Sequence, residues 1–329
     1  MESKRSQRRV TAPSAAVLPA PGLVIVEPLW QIHLRLWWKS LKNSWAIFAE
    51  NPIGLLGLTI IVIFGLGAVA HPILMNTIWD KQTYDPIIGF DYEVVHPAPP
   101  SATHLLGTDP IGRDILSQLL YSTSSEFALG MIAALVTVTI GTMLGAIAAY
   151  FGGASDVALM RLADLIIMTP PITLLIVLGA LFELSLIDLG LLFGLLSGFG
   201  AVTVIIKSQA LSIMVKPFVE AARVAGGGHF HIILTHIIPN LLPTSFLYMM
   251  FTVTDAIFSE AVLSFFGLLN IRMSWGIMIN TTQTQGYLTN FDTWWLLFPP
   301  SVAITLLCAS FYMVGRAMDE VVNPRLRRR

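Results

Sequence analysis

The sequence holds a single cysteine, Cys308, so neither a disulfide framework nor a cysteine-built metal site can form within one chain. Charge is scarce too: Asp, Glu, Lys and Arg make up 12% of the residues, against roughly 25% in soluble proteins. The net charge is -1 and the basic residues are scattered, which excludes the coherent basic face of a nucleic-acid binder. No G-x-x-x-x-G-K-[ST] segment occurs, so the chain has no loop to cradle the phosphates of ATP. No nucleophile, base and orienting partner stand at a shared spacing, which argues against a membrane-embedded enzyme. His229, His231 and His236 do not fall together on one helix face, so no metal site is expected from them.

In place of these features the chain has apolar residues, 55% of 329, gathered into blocks. A hydrocarbon core of about 30 Å needs roughly 20 residues of helix, and several blocks reach that length. The blocks lie at about 53–75, 127–151, 157–182, 187–206, 240–269 and 294–314. These predict an all-α membrane protein with six transmembrane helices. Residues 1–28 mix Lys4, Arg5, Arg8 and Arg9 with four prolines and read as a disordered basic tail, not as a cleavable signal. Residues 29–52 interleave Trp30, Trp37, Trp38 and Trp45 with Arg35, Lys39 and Lys42. That mixture suits an interfacial helix, and equally an ordinary juxtamembrane stem. Residues 76–125 form a long polar segment, 126–315 a five-helix core, and 316–329 a basic C-terminal tail.

Orientation follows from basic charge, which accumulates on the cytoplasmic side. With the N-terminus inside, sixteen of the nineteen Lys and Arg residues face the cytoplasm and only Lys81, Arg113 and Arg272 lie outside. The topology is therefore N-in and C-in, with 76–125 external and 207–239 internal.

Within that internal segment, Pro217 suits a first helical turn and Gly226 a helix end. Glu220 sits where the helix dipole favours an anion. A second apolar run, Phe230 to Ile238, follows three consecutive glycines and is expected to stop at Pro239, giving two short helices that meet at a bend. In the first of these, Phe218, Val219, Ala222 and Ala225 are expected to form an apolar face.

Arg161 and Asp164 have the i, i+3 spacing of a local ion pair. Ile111, Ile115, Leu119 and Leu120 around Arg113 and Asp114 are compatible with a short helix lying on the outer surface. Leu196 to Gly200, LSGFG, lies in an apolar span and reads as small residues for close helix packing. Asp255 and Glu260 fall in the fifth span, where an ionised carboxylate is expensive unless paired or wet. Two roles satisfy that constraint, structural hydrogen bonding or a lining of the translocation path.

Glu220-Ala221-Ala222-Arg223, Gly226, His236, Pro239 and Asn240 resemble the EAA loop of binding-protein-dependent ABC importer permeases. His104 to Tyr121, Tyr150 to Arg161, Ser259 to Gly267, Ser274 to Gly276 and Asn323-Pro324-Arg325 resemble further blocks of the oligopeptide/dipeptide/nickel class, C-type subunit. The resemblance covers about residues 45–326. It departs where Gly227 and Gly228 replace larger residues, and where only Lys207 and Lys216 supply basic charge before the loop.

The resemblance implies a type I importer permease fold in a prokaryotic inner or plasma membrane. It implies a cytoplasmic coupling helix whose apolar face at Val219 and Ala222 docks into a groove of an ATP-binding subunit. The implied partners are a second, homologous permease, two ATPase subunits that bind ATP and Mg, and an external substrate-binding protein. The implied cargo is peptides, nickel complexes or oligosaccharides. The competing reading is an ion-coupled secondary transporter that uses Asp255 and Glu260. Such carriers usually show internal repeats, and this chain shows none.

Overall fold

A computed structural model describes residues 29–322 of the chain. The tail over 1–28 and the Asn323-Pro324-Arg325 segment lie outside the described residues. The chain divides into a short unit, residues 1–45, and a main unit, residues 46–329. Helix α1 (Leu29–Ala49) begins in the first.

The main unit is helical. Helix α2 (Pro52–Thr77) starts with Asn51 as its cap, the side chain accepting from the Gly54 N–H at 3.0 Å, and with Pro52 in its first turn. A one-turn helix α3 (Lys81–Tyr84) and a loop lead to α4 (Ile115–Phe151), capped by Asp114 through the Ser117 N–H at 2.7 Å. No separate surface helix forms around Arg113. The apolar residues from Ile115 to Leu120 are the first turns of α4 itself, a 37-residue rod of about 55 Å that outruns the hydrocarbon core.

The third apolar block is broken. Helices α5 (Gly153–Met168) and α6 (Pro171–Leu181) meet at 76°. Two adjacent prolines, Pro170 and Pro171, remove N–H donors and disfavour helical backbone in the residue before each. Helix α7 (Leu186–Ser197) passes through a π-turn at Gly198–Val202 into α8 (Thr203–Met214). A short α9 (Pro217–Val224) follows. Then α10 (His229–Ile232) continues through a π-turn, Ile233–Ile237, into α11 (Ile238–Phe265). Helices α12 (Trp275–Thr284) and α13 (Phe298–Val322) complete the unit. Among the described residues five helices or helix runs are long and apolar enough to cross a membrane, and there are six if the bent α5–α6 pair is counted as one span.

Helix α4 is the central post, packed on α2, α7, α8 and α11. Small residues make this possible. A Cβ on Gly130 would stand 2.7 Å from Val253 Cγ1, on Gly141 2.6 Å from Val202 Cγ1, and on Gly145 2.8 Å from Ile206 Cγ2. Gly194 and Gly198 in turn admit Val136 and Ile140 of α4, so the LSGFG stretch does serve close packing. One core gathers around the fully buried Trp275 with Ile115, Met273 and Leu307. A second, at the opposite end, joins Ile206, Ile213, Ile232, Ile237 and Leu241.

Candidate coupling loop and translocation cavity

The segment between α8 and α11 is built on local rules. Lys216 takes extended backbone, Pro217 opens α9, and Glu220 sits in the first turn. The helix then ends at Gly226, whose φ is +81°. The Gly226 N–H donates to the Arg223 carbonyl, and the Gly227 N–H to the Ala222 carbonyl, both at 3.0 Å. This is the paired closure that a left-handed residue allows, so Gly226 does stand where its conformational freedom is needed. Glu220 and Arg223 form an exposed pair at 3.5 Å.

The expected docking face needs correction. Val219 is fully buried, packed within the chain against the lower core, and Ala222 is half-buried against the same cluster. Residues three apart share a helix face, and here that face turns inward. The outward face carries Glu220, Ala221, Val224 and Ala225, with Val224 81% exposed.

The second expected helix also differs. It starts at His229, but it does not stop at Pro239. Pro239 falls in the first turn of α11, where its missing N–H matters least, and the π-turn before it lets the helix run on into the fifth span. His236 is half-buried, with its ring centroid 6.4 Å from Phe218 and 5.8 Å from His231. Its carbonyl accepts from Asn240 Nδ2 at 2.8 Å. Among the described residues no group of three His, Cys, Asp or Glu side chains could hold a metal ion.

Two contacts that sequence reasoning missed tie this segment to the rest of the chain. Tyr150, near the end of α4, places its hydroxyl 2.9 Å from His229 Nδ1, and Arg223 lies 6.0 Å from the centre of its ring. Lys207 on α8 pairs with Asp156 on α5 at 2.5 Å, joining the broken span to the helix that leads into α9. Arg161 and Asp164 form the expected exposed pair at 3.7 Å.

The two intramembrane acids separate. Asp255 faces an open cavity of about 490 Å³ between α5, α6, α7 and α11. Ile166, Ile167, Phe251 and Phe258 make its walls largely apolar, and Tyr248, Thr252 and Ser259 add a few polar groups. Glu260, five residues on, is fully buried and lines no part of that cavity. It packs instead against Glu126 of α4, a residue that no sequence pattern singles out.

On the opposite face of the bundle, the loop before α4 folds around two polar centres. Arg113 binds Asp109 through Nε at 2.7 Å and Nη2 at 2.6 Å, and reaches Thr281 on α12 at 3.4 Å. His104, fully buried, bridges Asp114 Oδ2 at 2.8 Å and Asp91 Oδ2 at 3.1 Å.

Long apolar helices around a cavity that reaches Asp255, with a short helix at one end of the bundle, are the architecture of a polytopic membrane subunit. Residues 141–328 match the family model described as binding-protein-dependent transport system inner membrane component. The chain is 30% identical over 295 residues to the dipeptide transport system permease protein DppC of Bacillus subtilis, covering 87% of this chain and 86% of that one. It is 29% identical over 297 residues to the oligopeptide transport system permease protein OppC of the same organism, covering 90% and 92%. With OppC of Haemophilus influenzae the identity is 33% over 239 residues, covering 71% and 75%. The chain belongs to the binding-protein-dependent transport system inner membrane component family. It is a multi-pass membrane permease subunit of an ABC importer.

Proposed function

We propose that this chain forms half of the translocation pathway of an ATP-driven importer for peptides or similar small oligomers. A homologous second permease supplies the other half, two ATPase subunits bind ATP and Mg, and an external binding protein delivers cargo. The observation that carries the reading is α9, an eight-residue helix with Val219 anchored in the chain's own core and Glu220, Ala221 and Val224 turned outward. A helix presented in that way transmits a push on its outer face into α8 and α11 without a hinge of its own. Arg223, Gly226, His236, Pro239 and Asn240 shape the loop around it.

The cavity at Asp255 is the part of the path that this chain contributes, and Glu260 belongs to the helix packing behind it. The peptide assignment leans on the dipeptide and oligopeptide permeases to which the chain is similar. The segments 53–75, 126–315 and 207–239 then act as peripheral span, permease core and coupling loop.

The test is reconstitution in proteoliposomes. The chain with its second permease, ATPases and binding protein should accumulate peptide only with ATP inside the ATPase compartment. Accumulation by this chain alone, driven by a proton or sodium gradient, would overturn the reading.

A further inference from the structure

Glu126 and Glu260 are both fully buried, on α4 and α11, near the end of the bundle that the charge distribution places outside. No Lys, Arg or His among the described residues forms an ion pair with either. The other groups facing them are neutral or already engaged. Gln118 and Ser122 precede Glu126 by two turns and one turn of α4, Ser264 follows Glu260 by one turn of α11, and Ser274 caps α12. Cys308 approaches from α13, and Asp255 lies farther along α11 on the cavity side. Arg113 is occupied by Asp109.

The hydrogen-bond inventory of this group does not close. Glu260 Oε1 accepts from Ser264 Oγ at 2.5 Å. The Ser274 hydroxyl, which itself accepts the Ile277 N–H, also reaches Glu260. Glu260 Oε2 and both oxygens of Glu126 are left buried without a donor, although the two carboxyl groups lie within hydrogen-bonding reach of each other. As two carboxylates they are acceptors only, and two unneutralised charges in contact inside the bundle would be strongly unfavourable. One proton resolves both problems. Placed on Glu126, it gives that side chain an O–H that donates to the orphaned Oε2 of Glu260.

We propose that Glu126 and Glu260 form a proton-binding site that holds one shared proton, carried by Glu126 and donated to the Glu260 carboxylate, clamping α4 to α11. The asymmetry comes from Ser264: its hydroxyl already donates to Glu260, which is suited to remain the anion, whereas no hydrogen bond reaches either oxygen of Glu126. Gln118 Oε1 and Ser122 Oγ are also buried without a partner. The ligand is a proton rather than a metal cation, because only two carboxyl groups meet here and no group of three His, Cys, Asp or Glu side chains among the described residues could hold a metal ion.

Infrared difference spectra of the assembled complex test the assignment. The wild type should show a carboxylic-acid C=O band that Glu126→Gln abolishes, since the amide N–H takes over as donor to an ionised Glu260. Glu260→Gln should keep an acid band, shifted, because Glu126 stays protonated. Should Glu126→Gln not assemble, Glu126→Ser removes the same carboxyl while leaving a hydroxyl donor. A wild-type spectrum with no acid band overturns the proposal, as does a band that survives loss of Glu126 and disappears with Glu260. Replacing sodium with a bulky organic cation should leave the spectrum unchanged. A carboxylate band that follows sodium would show a metal-cation site instead.

Discussion

The Tyr150 hydroxyl stands 2.9 Å from His229 Nδ1, so the end of α4 is tied directly to the first residue of the helix that follows the Gly226 turn. Tyr150 also stacks edge-on with Phe151 and His229 and lies beneath Arg223. If α9 is the coupling helix, a push on it reaches the central post of the bundle through this aromatic side chain and through the core that Val219 shares with Ala146 and Ala149 of α4. Tyr150→Phe keeps the ring and removes only the hydroxyl, a loss of about 0.5–1.5 kcal/mol. The complex should assemble normally, while transport per ATP hydrolysed falls. An unchanged ratio would show that the contact is ornamental.

The external loop should respond to pH through two acids that share His104. Asp91 is held below the ordinary carboxylate range, first by the Glu93 N–H and then by His104. Its contribution to stability is present above its unfolded value and is lost as pH falls through the depressed folded value. Asp114 is pushed the other way by burial, against the opposing pull of the Ser117 N–H and His104. Its contribution is present below the ordinary carboxylate range and is lost as pH rises through the elevated folded value. Hydrogen exchange over residues 85–114 should therefore quicken at both ends of that window. Asp91→Asn should flatten the acid limb and Asp114→Asn the other. His104→Ala, which strands buried oxygens, should cost about 1–3 kcal/mol and quicken exchange at every pH.

The six spans were legible because each is a block of about 20 apolar residues, a signal that needs no tertiary context. The end of α9 was legible as well, since Pro217 and Gly226 act through local backbone chemistry. The docking face was not. Phe218, Val219, Ala221, Ala222, Val224 and Ala225 place apolar side chains all around a helix of two turns, and only packing against Ile232 and Ile237 decides which of them turn inward. The partnership of Glu126 with Glu260 was hidden for a different reason. It joins side chains from α4 and α11 that no periodicity relates. The kink at Pro170 and Pro171 stood in plain view, yet hydropathy alone runs straight through it.

The inside excess of basic residues makes Gln82 and Gln283 external, and both side chains are exposed. In a Cys308→Ser background, cysteines at either position should react with an impermeant thiol reagent in intact cells. Labelling only after lysis would invert the topology.

Gly226 has open space where a Cβ would stand, so substitution there strains the backbone alone. Gly226→Val should cost about 1–2 kcal/mol for left-handed backbone, misdirecting the turn without harming the spans. Gly227→Ala acts differently: its Cβ would come 2.9 Å from the Ala222 carbonyl, the acceptor that closes the helix. Both variants should assemble and should lose binding-protein-stimulated ATP hydrolysis. Full stimulation in both would remove the turn from the coupling path.

The two faces of α9 make opposite predictions for the same substitution. Val219 is fully enclosed by the lower core, so Val219→Glu buries a charge without a partner, at a cost of several kcal/mol. It should be recovered poorly, as misassembled or degraded protein. Val224 is 81% exposed and touches no core, so Val224→Glu should leave stability within about 0.5 kcal/mol of the wild type. If α9 sits in a groove of the ATPase, however, that glutamate meets the partner, and losing about 1.4 kcal/mol of docking free energy weakens binding about tenfold. Ala221→Glu, one turn earlier on the same outward face, should behave like Val224→Glu. Co-purification of the ATPase with the permease, followed by stimulated hydrolysis, separates the cases. Val224→Glu and Ala221→Glu complexes that keep both the ATPase and full stimulation would show that the outward face of α9 is not where ATP hydrolysis reaches this chain.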